Sequence, residues 1–344
     1  MPVAVTLDEV ARAADALRAG ELVAFPTETV YGLGADASSP VALARLYAVK
    51  GRPTDHPVIV HLADADALDD WAIDVPDAAR RLADAFWPGP LTLVLRRAPG
   101  VLDAVTGSQD TVGLRVPDQP VALALLREFG GGVAAPSANR FGRVSPTTAA
   151  DVRVDLGDDV DLILDDGPCR VGVESTIVDC AHEPFRVLRV GKVGSEELAA
   201  TAGERVESAP ARASDATTTD DDVRVPGALA SHYAPRARVV VVDTKDNWLA
   251  TAGAELGRGA RVGVIVTDGR AVGGWHPRLT ILGAPRDATE YAHDLYRMLR
   301  AADVQRIDVV FAQQPRDHKG LGAAVADRLR RAAAPRPSDG DDGT

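Results

Sequence analysis

Apolar residues along this chain come in short runs separated by polar breaks. The runs at 58–62, 91–95, 112–116, 162–164, 176–178 and 185–190 are brief and rich in Val, Leu and Ile, so they predict buried strands. Ala/Leu-rich stretches at 78–86 and 121–129 predict helices between them. Thr6 followed three residues later by Glu9 is a capping box, and it opens a further helix that stops at Gly20. Ser39-Pro40 opens another, which ends near Gly51. Strands and helices intermingle throughout, which predicts an α/β fold on a mixed sheet.

The pattern lapses at 208–222, where SAPARASDATTTDDD holds no Val, Ile, Leu, Met or aromatic residue. Such a stretch has nothing to pack into a core and reads as a linker. A second α/β pattern follows, with strands at 239–242, 262–266 and 307–311 and a helix at 287–302. The organisation expected is a first domain over 1–206, a linker over 207–237, a smaller domain over 238–334 and a disordered tail over 335–344.

Composition narrows the class. The chain has 344 residues, 46% hydrophobic and 26% charged, enough to bury a core in each of two domains. Aromatics are only 4%, so the core must be built from Ala, Val and Leu. Cys169 and Cys180 are too few for a disulfide framework or a structural zinc site, and both are expected to be buried. No apolar run reaches the length of a membrane span, and the N-terminus does not read as a signal peptide, so a cytoplasmic protein without membrane contact is expected. A net charge of -12 argues against a broad nucleic-acid surface but leaves room for a small basic site.

Candidate chemistry sits at strand ends. FPTETVYGLGADA (25–37) is an apolar lead running into hydroxyls, a carboxylate and two glycines, the composition of a binding loop. Its GLGADA fits a loose dinucleotide pattern, but Ser38-Ser39-Pro40 intervenes before the next helix, which disfavours that use. Lys50-Gly51-Arg52 places two cations at a helix end, where they either complement the dipole or clamp phosphate. Arg115 and Arg189 each interrupt an apolar strand and so require an anion, either an internal carboxylate or a ligand. PSAN (136–139) makes either a turn or a ligand contact, and SPTT (145–148) reads as a helix start with Ser145 as N-cap. Four cations near element ends in an acidic chain suggest a compact polyphosphate pocket. Neither triad order nor zinc spacing is present.

PTETVYGLGADA, KGRPTDHPVIVHL, FWPGPLTLVL, VGLRVP, APSANRFGRVSPTTA, ESTIVDC and VLRVGKV occur in this order, followed by PGALASHYAP in the linker. In these segments the chain resembles the YrdC-like threonylcarbamoyl-AMP synthases in their long form. The resemblance implies a twisted mixed-sheet YrdC-like domain followed by a smaller Rossmann-like domain. It also implies a nucleotidyltransferase that makes threonylcarbamoyl-adenylate and pyrophosphate from L-threonine, bicarbonate or CO2, and ATP. Mg2+ would accompany the ATP, with no metal ligand from protein side chains. The product would pass to threonylcarbamoyl transferase machinery acting on tRNA, with at most a weak tRNA contact by this chain.

Carried over residue by residue, the resemblance implies a threonine pocket of Thr29, His61, Arg115 and Ser175. The implied nucleotide pocket is Lys50, Arg52, Thr111, Ser137, Asn139, Ser145 and Arg189, with Lys50 and Arg52 catalytic and Tyr233 of the linker motif as a cap. His56 stands where the family usually has Asn, which puts that nucleotide contact in question. The rival readings are a non-catalytic double-stranded RNA or tRNA-binding module, and a carbamoyl transferase. The low cysteine count disfavours the second.

Overall fold

Thr6 caps the first helix as its spacing from Glu9 requires. The Thr6 side chain accepts the Glu9 N–H, and the Glu9 carboxylate accepts the Thr6 N–H at 2.8 Å. The helix runs Leu7–Arg18 and turns Val10, Ala13, Ala14 and Leu17 inward. The computed structural model describes residues 5–208, 223–227, 232–243, 248–267 and 276–335. Residues 209–222 of the expected linker, residues 228–231 of its motif and the tail from 336 onward lie outside the described residues.

The chain divides into two units, Met1–Phe141 with Ser145–Ala228, and Gly142–Val144 with Leu229–Thr344. The first unit is built on strands β1 (Val23–Phe25), β2 (Gly32–Asp36), β3 (Ile59–His61), β4 (Leu91–Arg96), β5 (Thr111–Arg115), β6 (Val133–Ala134), β7 (Leu162–Ile163), β8 (Thr176–Asp179), β9 (Phe185–Arg189) and β10 (Val206–Ser208). They form one sheet in the order β10-β9-β8-β4-β5-β3-β6-β2-β1-β7. The sheet is mixed as expected: β3 runs parallel to β5 and β4 to β8, whereas β4 and β5 are antiparallel.

Strand alternation sorts the side chains into two faces. Val60, Leu91, Leu93, Leu95, Val112, Leu114 and Val178 point into the main core, against the helices Pro40–Lys50 and Asp77–Phe86. The intervening positions, including His61, Thr92, Thr111 and Arg115, therefore share the opposite face. Ile59, Val94 and Ile177 make a small apolar island there, closed by Val225. An all-aliphatic strand would have needed a second core on this side. The polar alternates instead leave it for a site.

Two sequence-based expectations need correction. The stretch 32–36, expected to be part of a binding loop, is strand β2, hydrogen-bonded antiparallel to β1. Gly32 and Gly34 hid it, and both glycines serve close packing. A Cβ on Gly34 would lie 2.9 Å from the Phe25 ring and 3.0 Å from Val133. Ser145 is not an N-cap. The helix there is Ala149–Leu156, capped by Thr148, because Asp151 completes the capping box only from that position.

The second unit has strands β11 (Arg238–Val242), β12 (Val262–Ile265), β13 (Leu279–Gly283) and β14 (Val309–Gln313), all parallel, in the order β11-β14-β12-β13. Helices Trp248–Gly257, Ala288–Val304 and Gly320–Ala333 connect and cover them. Parallel strands joined by helices are the Rossmann-like pattern expected. No helix among the described residues is long and apolar enough to cross a membrane.

Candidate functional site

The site begins with register. β3 and β5 are parallel with His61 opposite Arg115, so both side chains stand side by side at the ends of their strands. Arg115 is 4% exposed and its Nε donates to the Gly89 carbonyl at 3.2 Å. Its Nη2 lies 2.7 Å from Oε2 of Glu28, an ion-pair contact in which no N–H is aligned on the oxygen. The anion that a strand arginine demands is thus an internal carboxylate, and it brings the 27–31 loop against β5. Burial, and then the Arg115 charge, push His61 down to about 3, so the imidazole is neutral across the physiological range. Its Nδ1 has no hydrogen-bond partner among the described residues.

Thr29 is fully buried and its hydroxyl lies 2.8 Å from that of Thr27. Thr27 Oγ1 also accepts from the Thr29 and Val30 amides. The loop is tied down by its neighbours, with Val171 N donating to Glu28 O at 2.7 Å, Gly172 N to Thr29 O at 3.2 Å and Tyr31 N to Pro146 O at 2.9 Å. Ser175, also fully buried, sits where β8 begins, with its hydroxyl 2.8 Å from Thr92 and 2.9 Å from the Arg189 guanidinium. Arg189 further donates to the Ser175 carbonyl at 3.0 Å and to the Pro226 carbonyl at 3.0 Å.

Lys50 ends the helix Pro40–Lys50, which Gly51 stops in the left-handed region at φ 61°. The Lys50 ammonium is buried and donates to the main-chain oxygens of Ser137 and Asn139, at 2.5 and 2.6 Å. Burial first, and Arg52 second, hold it well below the ordinary lysine range. Arg52 donates to the carbonyls of His56 and Pro57 at 3.1 and 2.6 Å and packs its guanidinium over the Phe141 ring. His56 stands edge-on to the same ring and is shifted down by burial and then by Arg52. Asn139 donates to the Arg140 carbonyl at 2.7 Å, and Ser145 donates to Glu174 at 2.7 Å. Thr111 opens β5 on the same face as Arg115 and lines a shallow open cleft with Thr92, Gly113 and Ile177.

These contacts tie Lys50 to Ser137 and Asn139, Arg115 to Glu28, Ser145 to Glu174, and Ser175 to Thr92 and Arg189. Tyr233 lies in the second unit. There its ring stacks on Tyr296 at 5.8 Å and faces Arg328 at 5.1 Å. Sequence reasoning named the cations but not Glu28, which pairs with Arg115, or Glu174, which accepts from Ser145. The signal for Glu28 was the unexplained charge of Arg115, although nothing in the spacing identified the partner.

The first unit is thus an α/β domain whose buried polar residues include the cations Lys50, Arg52, Arg115 and Arg189 and the carboxylates Glu28, Glu174 and Asp179. The family model described as "Telomere recombination" (Sua5/YciO/YrdC) matches residues 15–191. The model described as "Threonylcarbamoyl-AMP synthase, C-terminal domain" matches residues 193–334. The chain belongs to the Sua5/YciO/YrdC family, in the form that carries this C-terminal domain. It is 39% identical to the threonylcarbamoyl-AMP synthase of Bacillus subtilis over 331 residues, 95% of this chain and 94% of that one. It is 39% identical to the enzyme of that name from Pyrococcus abyssi over 326 residues, 93% of each chain. The crystal structure of P. abyssi Sua5 complexed with L-threonine superposes with a TM-score of 0.86 at 37% identity, covering 96% of each chain.

Proposed function

We propose that this chain is a threonylcarbamoyl-AMP synthase. It joins L-threonine, bicarbonate or CO2, and ATP into threonylcarbamoyl-adenylate and releases pyrophosphate. The observation that carries the reading is the continuity between two groups of residues through one contact. Arg189, on the expected nucleotide side, donates to Ser175, on the expected threonine side. A site so joined suits a reaction that couples an amino acid to a nucleotide.

In this reading Arg115 receives the threonine carboxylate, while Thr29, His61 and Ser175 surround the rest of that substrate. A neutral His61 can accept a hydrogen bond without adding charge beside Arg115. Lys50, Arg52 and Arg189 face the phosphates, and Thr111, Ser137, Asn139 and Ser145 border the nucleotide. His56 holds Arg52 through its carbonyl, so this role does not depend on the identity of its side chain.

The threonine ammonium first gives up a proton to water; the neutral amine then attacks CO2 and releases a second proton as the carbamate forms, and the carbamate oxygen displaces pyrophosphate in line at the α-phosphorus. Such a transfer needs positioning and charge neutralisation rather than a protein nucleophile. Buried cations in a fixed frame are more effective than cations in water, because they need no reorganisation as charge develops. Magnesium enters with ATP as part of the substrate. Among the described residues no cluster of three His, Cys, Asp or Glu side chains converges on one point. We place the reaction in the cytoplasm, where a threonylcarbamoyl transferase would take the labile adenylate to tRNA. The deciding experiment incubates the protein with ATP, magnesium, bicarbonate and labelled threonine. Pyrophosphate release must depend on threonine, and release that ignores threonine overturns the reading.

A further inference from the structure

Glu28 is 2% exposed, yet neither of its carboxylate oxygens accepts an aligned hydrogen bond among the described residues. Its 2.7 Å contact with Arg115 Nη2 is an ion pair without hydrogen-bond geometry on either partner. Taking two ions out of water is costly unless the geometry is good and the remaining lone pairs are satisfied. A pair kept only to neutralise Arg115 would be expected to adopt the parallel two-bond fork that Arg and carboxylate favour. Here the fork is absent. The Glu28 main-chain carbonyl is held by Val171 N at 2.7 Å, and the next carbonyl, of Thr29, by Gly172 N at 3.2 Å, so the backbone that aims the carboxylate is fixed. The result is a buried cation and a buried anion, side by side, each with unused hydrogen-bonding capacity, on a loop whose next residue is Thr29.

An α-amino acid carries its carboxylate and its ammonium on one carbon, so the two charges match two adjacent opposite charges in a site. We propose that Glu28 is the subsite for the substrate ammonium, so that Glu28 and Arg115 together read the zwitterion of an α-amino acid. The proposal rests on the threonine reading above and adds a specificity-determining residue to it. An α-hydroxy acid has the same carboxylate but no cation. Bound on Arg115, it would bring a second carboxylate beside Glu28 with nothing to separate the two charges. Like charges juxtaposed in a buried site are strongly disfavoured, and a site built to bond a substrate group rejects the analogue that lacks it.

The test measures binding of L-threonine and of its α-hydroxy analogue, with hydroxyl in place of the amine, by calorimetry on the full chain. The wild-type protein is expected to prefer threonine by about 100-fold or more, within the range of discrimination seen for buried polar recognition. In Glu28→Gln, which keeps the shape and removes the charge, that preference is expected to fall to a few-fold, through weaker threonine binding and stronger analogue binding. Equal binding of the two ligands to the wild-type protein overturns the proposal and needs no variant that folds. A folded E28Q protein that retains the full preference overturns it as well. Threonine-dependent pyrophosphate release is measured on the same wild-type preparation. Release without discrimination defeats only the role of Glu28, whereas no release defeats the functional reading itself.

Discussion

Lys50 and Asn139 are joined directly, the buried Lys50 ammonium donating to the Asn139 main-chain oxygen at 2.6 Å while it also holds Ser137. One cation therefore fixes the loop that presents two of the proposed nucleotide contacts. Replacing Lys50 with Met keeps the stem and removes the donors. Each charge-assisted hydrogen bond lost is expected to cost about 1.5–3 kcal/mol, part of it seen as stability and part as loss of ATP use. A Lys50→Met protein with unchanged melting temperature and unchanged KM for ATP would show that the loop does not depend on this lysine.

The same lysine couples nucleotide binding to protons. Burial first and Arg52 second depress Lys50 in the free protein. Polyphosphate beside it favours the charged form and raises the pKa on binding. Protons are then taken up at a pH between the free and bound values. Calorimetric titration with ATP in two buffers of different ionisation enthalpy should report net uptake that disappears in Lys50→Met. Net release in the wild-type protein contradicts this placement.

Arg115→Ala should separate the two substrates. It removes the proposed carboxylate contact and leaves Glu28 buried without its counter-charge, a change that typically costs about 3–5 kcal/mol. The KM for threonine is expected to rise far more than the KM for ATP. Stability should be partly restored when Glu28→Gln is added, because the uncompensated charge is then gone. Equal losses for both substrates would remove Arg115 from the threonine pocket.

His61 gives the fold a defined acid sensitivity. Its folded value of about 3 lies below the ordinary 6.5, so the unfolded chain binds the proton more readily. The contribution is fully present above pH 6.5 and is lost as pH falls towards 3, the sign set by greater proton binding in the unfolded state. At pH 5 the loss is about 2 kcal/mol, from roughly 1.4 kcal/mol per pH unit. His61→Gln should flatten this part of the stability profile relative to the wild-type protein in urea titrations at pH 7 and pH 5. Parallel profiles for the two proteins would show that His61 is not buried neutral.

Where residues obey a local rule, the sequence is easily read. Thr6 with Glu9 and Ser39 with Pro40 start their helices as expected, and Arg115 announces an anion because a charge in an apolar strand must be answered. The failures arise where tertiary contact decides. β2 was invisible because Gly32 and Gly34 carry no β propensity, and their use is set by the Phe25 ring packed across them. Ser145 lost the cap to Thr148 because Asp151 lies three residues beyond Thr148, leaving Ser145 free to bond Glu174. Glu28 went unnamed because its meaning lies in Arg115, on another strand, and no local spacing links the two.

Val225 carries the last prediction. Residues 223–227 lie on the polar face of the sheet, with Val225 buried against Ile59, Val94 and Ile177. The strap is held by Arg189 on the Pro226 carbonyl, and by the Gln109 amide, which accepts from Arg224 N at 2.7 Å and donates to Arg224 O at 3.1 Å. It lines the cleft beside Thr111, so it is placed to exclude water from a labile carbamate and adenylate. Val225→Asp puts a carboxylate against Ile59, Val94 and Ile177, and detaching the strap costs less than burying the charge on that apolar island. Turnover in the pyrophosphate assay is expected to fall by about tenfold or more, as for lost water exclusion and positioning, while the main core of the first unit still unfolds cooperatively. Deleting residues 223–235 should act in the same direction and more strongly. Full turnover in Val225→Asp would mean that the strap has no part in the chemistry.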